Sequence, residues 1–511
     1  MRRRTALVVL VTVTLALAGC ANPLPRWGKP GSPASTGAAA RPTPGKINWS
    51  LCPEVPKETL GKLPPNVSYE CGRVGVPQDW TKPGDGKSFG IAVMRARATN
   101  QRDRIGSLVV NPGGPGASGV QLAAYLSIGL PAEITQRFDI VGFDPRGVGR
   151  SDNVKCFTDA DLDANFGADP DPKSQEEFDK AVAFSRKLAQ SCGDRYGDAL
   201  RLFSTEQAAN DMEALRTALG DDKLTYLGYS YGTLLGAVYA QLFPTKVRAL
   251  VLDGAVDPTL DPVASLEGQA KGFEHAFDNF AAWCKSNAGK CPIGPDARGA
   301  VTSAINAART KPVKGPDGRS ATAGWIFTAV IASLYSQGDW IQLASAVDSL
   351  RRGSAREILQ RADSYTQRDA SGHYNNLFDA NMVVNCTDDD KVPPVDRLRV
   401  LQSEWRQKYP LFGSSSALDL VCAQWPGKRD PYPAGKADGA PPIVVVGTTG
   451  DPATPYEQTP KLAEMLGVGV VLTWEGEGHT AYPQTRCITN AVNRYLVDLT
   501  VPAAGTRCPV S

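Results

Sequence analysis

Histidine is scarce in this chain: His275, His373 and His479 are the only three among 511 residues. No C-x-x-C pair occurs either, so a zinc site of the usual Cys and His spacing lacks ligands, and no metal or cofactor is expected. An excess of one charge is missing too, with 55 Lys and Arg against 53 Asp and Glu and a net charge of +2. Without a basic surplus to meet phosphates, no nucleic-acid partner is expected. Beyond residue 20 no apolar run approaches the roughly 20 residues that span a bilayer. No internal repeat is evident.

The N-terminal segment does not read as fold. Met1-Arg-Arg-Arg-Thr5 is basic, and Ala6 to Ala18 is apolar but too short to span a membrane. It ends in Leu17-Ala18-Gly19-Cys20, which resembles a bacterial lipobox, in which the cysteine becomes the lipidated first residue. Residues 1–19 are therefore expected to be a signal peptide. The alternative is a plain secretory signal that happens to precede a cysteine. Residues 20–45 are rich in Pro, Gly, Ala, Ser and Thr and read as a flexible tether. A lipid at Cys20 would hold the protein on the outer face of the cell membrane.

Cysteine usage fits export. Of 11 cysteines, setting Cys20 aside leaves an even number, which in an exported chain reads as a disulfide framework. Connectivity does not follow from sequence. Joining neighbours gives Cys52–Cys71, Cys156–Cys192, Cys284–Cys291, Cys386–Cys422 and Cys487–Cys508 as expectations.

The portion after the tether is too long for one compact core. From about 68 to 258, strand-like and helix-like segments alternate. Phe89–Ala96, Gly106–Asn111, Phe138–Phe143, Lys223–Gly228 and Val247–Leu252 read as strands. Thr205–Leu219 reads as a helix with a Ser204 or Thr205 cap and Gly220 past its end. Such alternation implies an α/β fold: a mostly parallel sheet with helices on both faces. Between about 258 and 440 helices and aromatics dominate, which reads as an inserted helical cap. Strand signals resume at Pro442–Gly447 and Val468–Trp474, and Cys487–Leu499 looks like a closing helix. The expected organisation is core from 46 to 257, cap from 258 to 440 and core again from 441 to 511.

Gly228-Tyr229-Ser230-Tyr231-Gly232 lies where a strand should turn into a helix. A G-x-S-x-G turn at such a junction presents the serine Oγ beside a helix N-terminus. A serine needs a base, and the base needs an orienting acid. His479 follows the last strand signal in Gly476-Glu477-Gly478-His479-Thr480. His275 lies in an aromatic helical segment and reads as a packing residue, and His373 lies in a polar loop. Asp451 follows the preceding strand, so Ser230, Asp451 and His479 stand in chain order as nucleophile, acid and base. Asp253 and Asp257, after the strand that follows the elbow, are rival acids. The loop Asn111-Pro112-Gly113-Gly114-Pro115-Gly116 ends an earlier strand. With the elbow it could supply an oxyanion hole from the N–H groups of Gly114 and Tyr231. Asp144-Pro145-Arg146-Gly147-Val148-Gly149-Arg150-Ser151 reads as holding an Asp–Arg pair that braces loops beneath the site, since the G-x-x-x-x-G-K phosphate pattern is absent.

Together, Pro112–Gly116, Phe143–Gly147, Gly228–Gly232, Leu252–Gly254, Gly450–Pro452 with Thr454-Pro455, and Gly478–Thr480 resemble the prolyl/tripeptidyl aminopeptidase family of α/β-hydrolases. The likeness extends to exported actinobacterial members and lipoprotein serine proteases. It covers essentially the whole chain after the tether. One departure is Asn111, where prolyl iminopeptidases carry histidine, and it argues against a strict proline iminopeptidase. The resemblance implies cleavage of peptides or proteins near a free N-terminus, and so a site for an ammonium group. Asp388, in Asn385-Cys386-Thr387-Asp388, is the candidate; a solvated acidic loop is the alternative. Two other functions stay open at this stage: a carboxylesterase or lipase on the same scaffold, and a binding lipoprotein with a dead site.

Overall fold

The computed structural model describes residues 46–52 and 67–510. Cys20, the leader and the tether lie outside the described residues. Twelve strands occur among them. The first seven are β1 (Ser50–Leu51), β2 (Tyr69–Pro77), β3 (Ser88–Ala96), β4 (Gly106–Asn111), β5 (Phe138–Phe143), β6 (Leu224–Tyr229) and β7 (Val247–Asp253). After a two-stranded ribbon of β8 (Val313–Lys314) and β9 (Ser320–Ala321) come β10 (Ile443–Gly450), β11 (Gly469–Glu477) and β12 (Thr506–Cys508). Ten of these form one sheet in the order β1-β2-β3-β5-β4-β6-β7-β10-β11-β12. Pairings from β1 through β5 by way of β3 are antiparallel; β5-β4-β6-β7-β10-β11-β12 run parallel. Sequence reading missed β1, β8, β9 and β12, which are only two or three residues long, and β2, whose apolar pattern is broken by Glu70, Gly72, Arg73 and Gly75.

Period-two alternation explains how the sheet is covered. Leu108 and Val110 of β4 and Val444 and Val446 of β10 pack on one face, against Ala123 of helix Gly119–Gly129 and Val492 of helix Arg486–Asp498. Val109 and Val445, one residue on, pack on the other face with Met212, Leu235 and Leu462 from helices Thr205–Leu219, Tyr231–Leu242 and Gln458–Leu466. Both faces are apolar, as parallel strands require. Helix Thr205–Leu219 is capped as expected: the Ser204 hydroxyl accepts the Gln207 N–H and Gly220 adopts φ 77°.

Seven long helices lie between β7 and β10: Pro262–Ser286, Ala297–Thr310, Ala323–Leu334, Trp340–Arg351, Arg356–Thr366, Leu377–Asp388 and Val395–Lys408. They share an aromatic core in which Phe273, Phe277 and Phe327 surround Phe412. Two further helices from between β5 and β6, Asp159–Gly167 and Gln175–Tyr196, join this layer. Phe166 meets Phe378 edge-on at 4.6 Å. Asp379 accepts the N–H groups of Cys156 and Phe157 at 2.6 and 2.8 Å, and Arg309 pairs with Asp169 at 2.6 Å. All five neighbour-in-sequence disulfides are formed. No helix of the described residues is long and apolar enough to cross a membrane.

Candidate active site

β6 ends at Tyr229 and the next helix begins at Tyr231, so Ser230 alone makes the turn, at φ 55° and ψ −126°. A non-glycine residue there stores about 1–3 kcal/mol and persists only if its surroundings hold it. The Ser230 N–H donates to the Asp253 carbonyl at 2.9 Å, and its own carbonyl accepts the Thr233 N–H at 2.8 Å and hydroxyl at 2.7 Å. The flanking glycines are steric requirements. A Cβ at Gly228 would lie 2.3 Å from the Gly232 carbonyl, and one at Gly232 would lie 2.9 Å from that of Asn111.

The Asn111–Gly116 loop backs directly onto this turn. Gly113 has φ 91°, and a Cβ there would fall 2.5 Å from the Tyr229 carbonyl. Asn111, the residue that departs from the iminopeptidase pattern, is buried, and its carbonyl Oδ1 accepts the Gly113 N–H at 2.9 Å. That bond shapes the loop from within. Gly114, at φ 108°, and Tyr231 line one cavity with Ser230. Tyr231 opens its helix, so its N–H falls outside the i→i−4 ladder.

His479 and Asp451 meet in loops that follow β11 and β10. Nδ1 of His479 is 2.9 Å from both oxygens of the buried Asp451 carboxylate. Asp451 also accepts the N–H groups of Ala453 and Thr454 at 2.9 Å and the Thr454 hydroxyl at 3.0 Å. With Nδ1 engaged, Nε2 is the nitrogen left for chemistry. Burial works to lower the His479 pKa, but the charge and hydrogen bond of Asp451, with the charge of Asp253, outweigh it. The net shift is upward from the usual 6.5. Thr480, next along, has φ 66° and donates its N–H to Asp451 at 3.3 Å.

The rival acids are occupied elsewhere. Asp253 accepts the N–H groups of Ala481 and Tyr482 at 2.7–3.0 Å, tying down the chain just after His479. Its buried carboxyl is pushed up to about 7. Asp257 accepts the N–H and hydroxyl of Thr259, two residues on, at 2.9 and 2.7 Å. Among the other histidines, His373 bonds Asp159 at 2.8 Å. His275 is exposed beside Asn279 rather than packed, because its face of the Pro262–Ser286 helix points outward. The bracing expected of the Asp144–Ser151 stretch takes the form of two separate braces. Arg146 forms a fork to Asp211 at 2.6 and 2.7 Å with both side chains fully buried. Asp144 accepts the Ser118 hydroxyl at 2.6 Å and the Arg150 backbone N–H at 2.7 Å.

One residue of the helical layer reaches the histidine, and sequence reading missed it. The Tyr335 carbonyl accepts the His479 N–H at 2.8 Å. The Tyr335 ring stands edge-on to the imidazole, 5.2 Å between centroids and 88° between planes. Ser336 and Gly478 form an isolated antiparallel bridge alongside. Tyr335 also lines the Ser230 cavity, as does Thr454. These contacts span about 140 positions of sequence, and no local signal marks them.

That cavity, about 210 Å³, is also lined by acids: Asp257, Asp388 and Asp389. Asp388 is buried at the end of helix Leu377–Asp388. Its oxygens accept the Thr205 N–H at 2.8 Å and hydroxyl at 2.6 Å, and that hydroxyl meets the Tyr231 hydroxyl at 2.6 Å. Burial pushes the Asp388 carboxyl up to about 8, against the hydrogen bonds from Thr205. The solvated acidic loop considered for Asp388 is therefore replaced by a buried carboxyl on the cavity wall. Among the described residues no group of three or more His, Cys, Asp or Glu side chains is placed to hold a metal ion.

A mostly parallel sheet, a serine on the turn after β6 and a His–Asp pair after its last long strands define the α/β hydrolase class. A family model described as the alpha/beta hydrolase fold matches residues 106–482, and the chain belongs to that family. It is 38% identical over 522 residues to serine protease Hip1 of Mycobacterium tuberculosis strain ATCC 25618 / H37Rv, covering 98% of this chain and 96% of that one. It is 39% identical over 533 residues to Carboxylesterase B of the same strain, with 99% of each chain covered. Tripeptidyl aminopeptidase of Streptomyces lividans is 31% identical over 494 residues, covering 92% of this chain and 88% of its own.

Proposed function

We propose that this chain is an exported serine peptidase that cleaves peptides near their free N-terminus. Ser230 Oγ attacks the scissile carbonyl while His479 Nε2 takes its proton. The N–H groups of Gly114 and Tyr231 hold the oxyanion. His479 then protonates the leaving amine, an acyl-enzyme remains, and water releases it by the same path in reverse. Asp451 fixes the imidazole tautomer and stabilises the imidazolium. Asp388 receives the substrate ammonium, since each carboxylate oxygen keeps a lone pair beyond those taken by Thr205. The helices between 258 and 440 close over the substrate as a cap.

The observation that carries this reading is the small cavity lined by Ser230 together with Asp257, Asp388 and Asp389. An acid-lined cavity suits a peptide ammonium and not an acyl chain. The relatives named as a serine protease and a tripeptidyl aminopeptidase point the same way. A carboxylesterase is the second reading, favoured by the similarity to Carboxylesterase B. A tripeptide amide and a short acyl ester as paired substrates separate them. We expect amide cleavage, lost by roughly 10⁶-fold in a folded Ser230→Ala variant; hydrolysis of the ester alone overturns the peptidase reading. For localisation, we propose lipid anchoring at Cys20, and the five disulfides suit an oxidising compartment outside the cytoplasm. The check is fractionation, in which Cys20→Ala should move the protein from the membrane to the soluble fraction.

A further inference from the structure

A second and larger hollow opens beside Tyr335. It measures about 640 Å³ and lies among helices Ala323–Leu334, Trp340–Arg351 and Arg356–Thr366. Tyr335 lines both this hollow and the Ser230 cavity. The Tyr335 ring rests on Tyr365, a second wall of the hollow, with centroids 5.8 Å apart.

Three observations give the hollow a role. The first is direction. His479 hands its proton to the leaving amine, and His479 is the residue on which Tyr335 stands. In the peptidase reading the acyl side of the substrate runs to Asp388, on the wall of the Ser230 cavity. The leaving segment therefore departs over Tyr335, where the hollow begins. The second is size. The Ser230 cavity, at about 210 Å³, is smaller than the roughly 300–1,000 Å³ of ordinary ligand sites. It can hold only a short N-terminal stretch, whereas the hollow has about three times that volume. The third is chemistry. Gln342, Glu357, Gln360 and Arg361 line the hollow. Arg361 is held in place by the Ser333 hydroxyl at 3.1 Å, the Gln342 side-chain carbonyl and Asp339 at 3.6 Å. With Asp339, also on the wall, the carboxamides, two carboxylates and one guanidinium match peptide groups, which both donate and accept hydrogen bonds.

We propose that this hollow binds the part of a peptide substrate C-terminal to the cut bond, so that the enzyme favours peptides extending several residues past it. The proposal rests on the peptidase reading of Ser230. Two substrates with the same three N-terminal residues test it, one a 4-nitroanilide with no residue after the cut, the other a hexapeptide. In wild type we expect a higher kcat/KM for the hexapeptide. Ser364 and Gln360 are exposed residues on the hollow wall, and Ser364→Trp or Gln360→Trp would fill it. Each should lower kcat/KM for the hexapeptide at least tenfold and change the anilide less than twofold. A parallel loss on both substrates, or none on either, overturns the proposal while leaving the peptidase reading intact. A wild-type enzyme that cleaves neither substrate overturns both.

Discussion

Ser230 sits at a positive φ because the Asp253 carbonyl, the Thr233 hydroxyl and two glycines leave it no other position. The same logic governs Gly228 and Gly232. Gly228→Ala puts a methyl group 2.3 Å from a backbone carbonyl, which rigid packing cannot absorb. We expect it to lower kcat/KM by more than tenfold and the denaturation midpoint measurably, whereas Ser230→Ala leaves the midpoint near wild type. We expect His479, as the proposed base, to set the acid side of the pH profile. Its pKa is raised above 6.5 because the attraction of Asp451 outweighs burial. The proposed base works only when neutral, so kcat/KM should fall as pH drops through a value above 6.5. The linked stability has the opposite sense: the protonated ring adds stability below about 6.5, lost as pH rises through the folded-state value. Asp451→Asn should lower kcat by roughly 10⁴-fold and move the surviving acid limb downward, as read from a pH–rate profile.

At the scale of elements, the decisive contacts join loops to the helical layer. The loop after β11 carries His479, and its neighbour Gly478, at φ 116°, packs so closely that a Cβ would lie 2.9 Å from the Tyr335 carbonyl. Gly478→Ala should therefore displace the His479 loop from Tyr335, lowering kcat at least tenfold with a smaller effect on KM. Steady-state kinetics separates the two. On the wall of the Ser230 cavity, helix Leu377–Asp388 delivers Asp388 onto Thr205. Burial pushes its carboxyl up to about 8, near the roughly 7.7–8.0 of a peptide amine. Attraction needs the carboxyl ionised and the amine protonated. KM for a free-amine peptide should therefore be lowest near pH 8 and rise on both sides, and Asp388→Asn should flatten that dependence. The raised carboxyl also means that its contribution to stability is present below about 4 and is lost as pH rises through 8.

For the molecule as a whole, two excursions from the sheet build one helical layer. The first, between β5 and β6, is tied by Cys156–Cys192, and the second carries Cys386–Cys422 near Asp388. Each bridge closes a separation of 36 residues, for which the chain-entropy account gives about 3–4 kcal/mol. Replacing Cys156 and Cys192 together by alanine should cost about that much in guanidinium unfolding. It should also expose residues 158–203 to limited proteolysis before the sheet unfolds. The buried Arg146–Asp211 fork lies beneath the same excursion. Asp211→Asn would leave an unpaired guanidinium in the core, and a loss of about 3–5 kcal/mol is expected.

Much of this protein is legible in its sequence because the signals are local. Strands β4, β5, β6, β7 and β10 are short apolar runs between turn residues, and Ser204 and Gly220 bound their helix by cap chemistry that acts within four residues. The G-x-S-x-G turn is a local steric statement, and Asp451 and His479 follow from where strands end. What the sequence left open is which of several equivalent groups meet. Asp253 and Asp451 both follow strands of the parallel sheet, and only the folded loops put Asp451 on Nδ1 and Asp253 on the chain after His479. The helical layer's use of helices from between β5 and β6, the Tyr335 contact with His479, and the burial of Asp388 on Thr205 are likewise decided by tertiary packing. They join positions about 140 to 220 residues apart, where no periodicity or spacing records the contact and only the close fit of surfaces selects the partner.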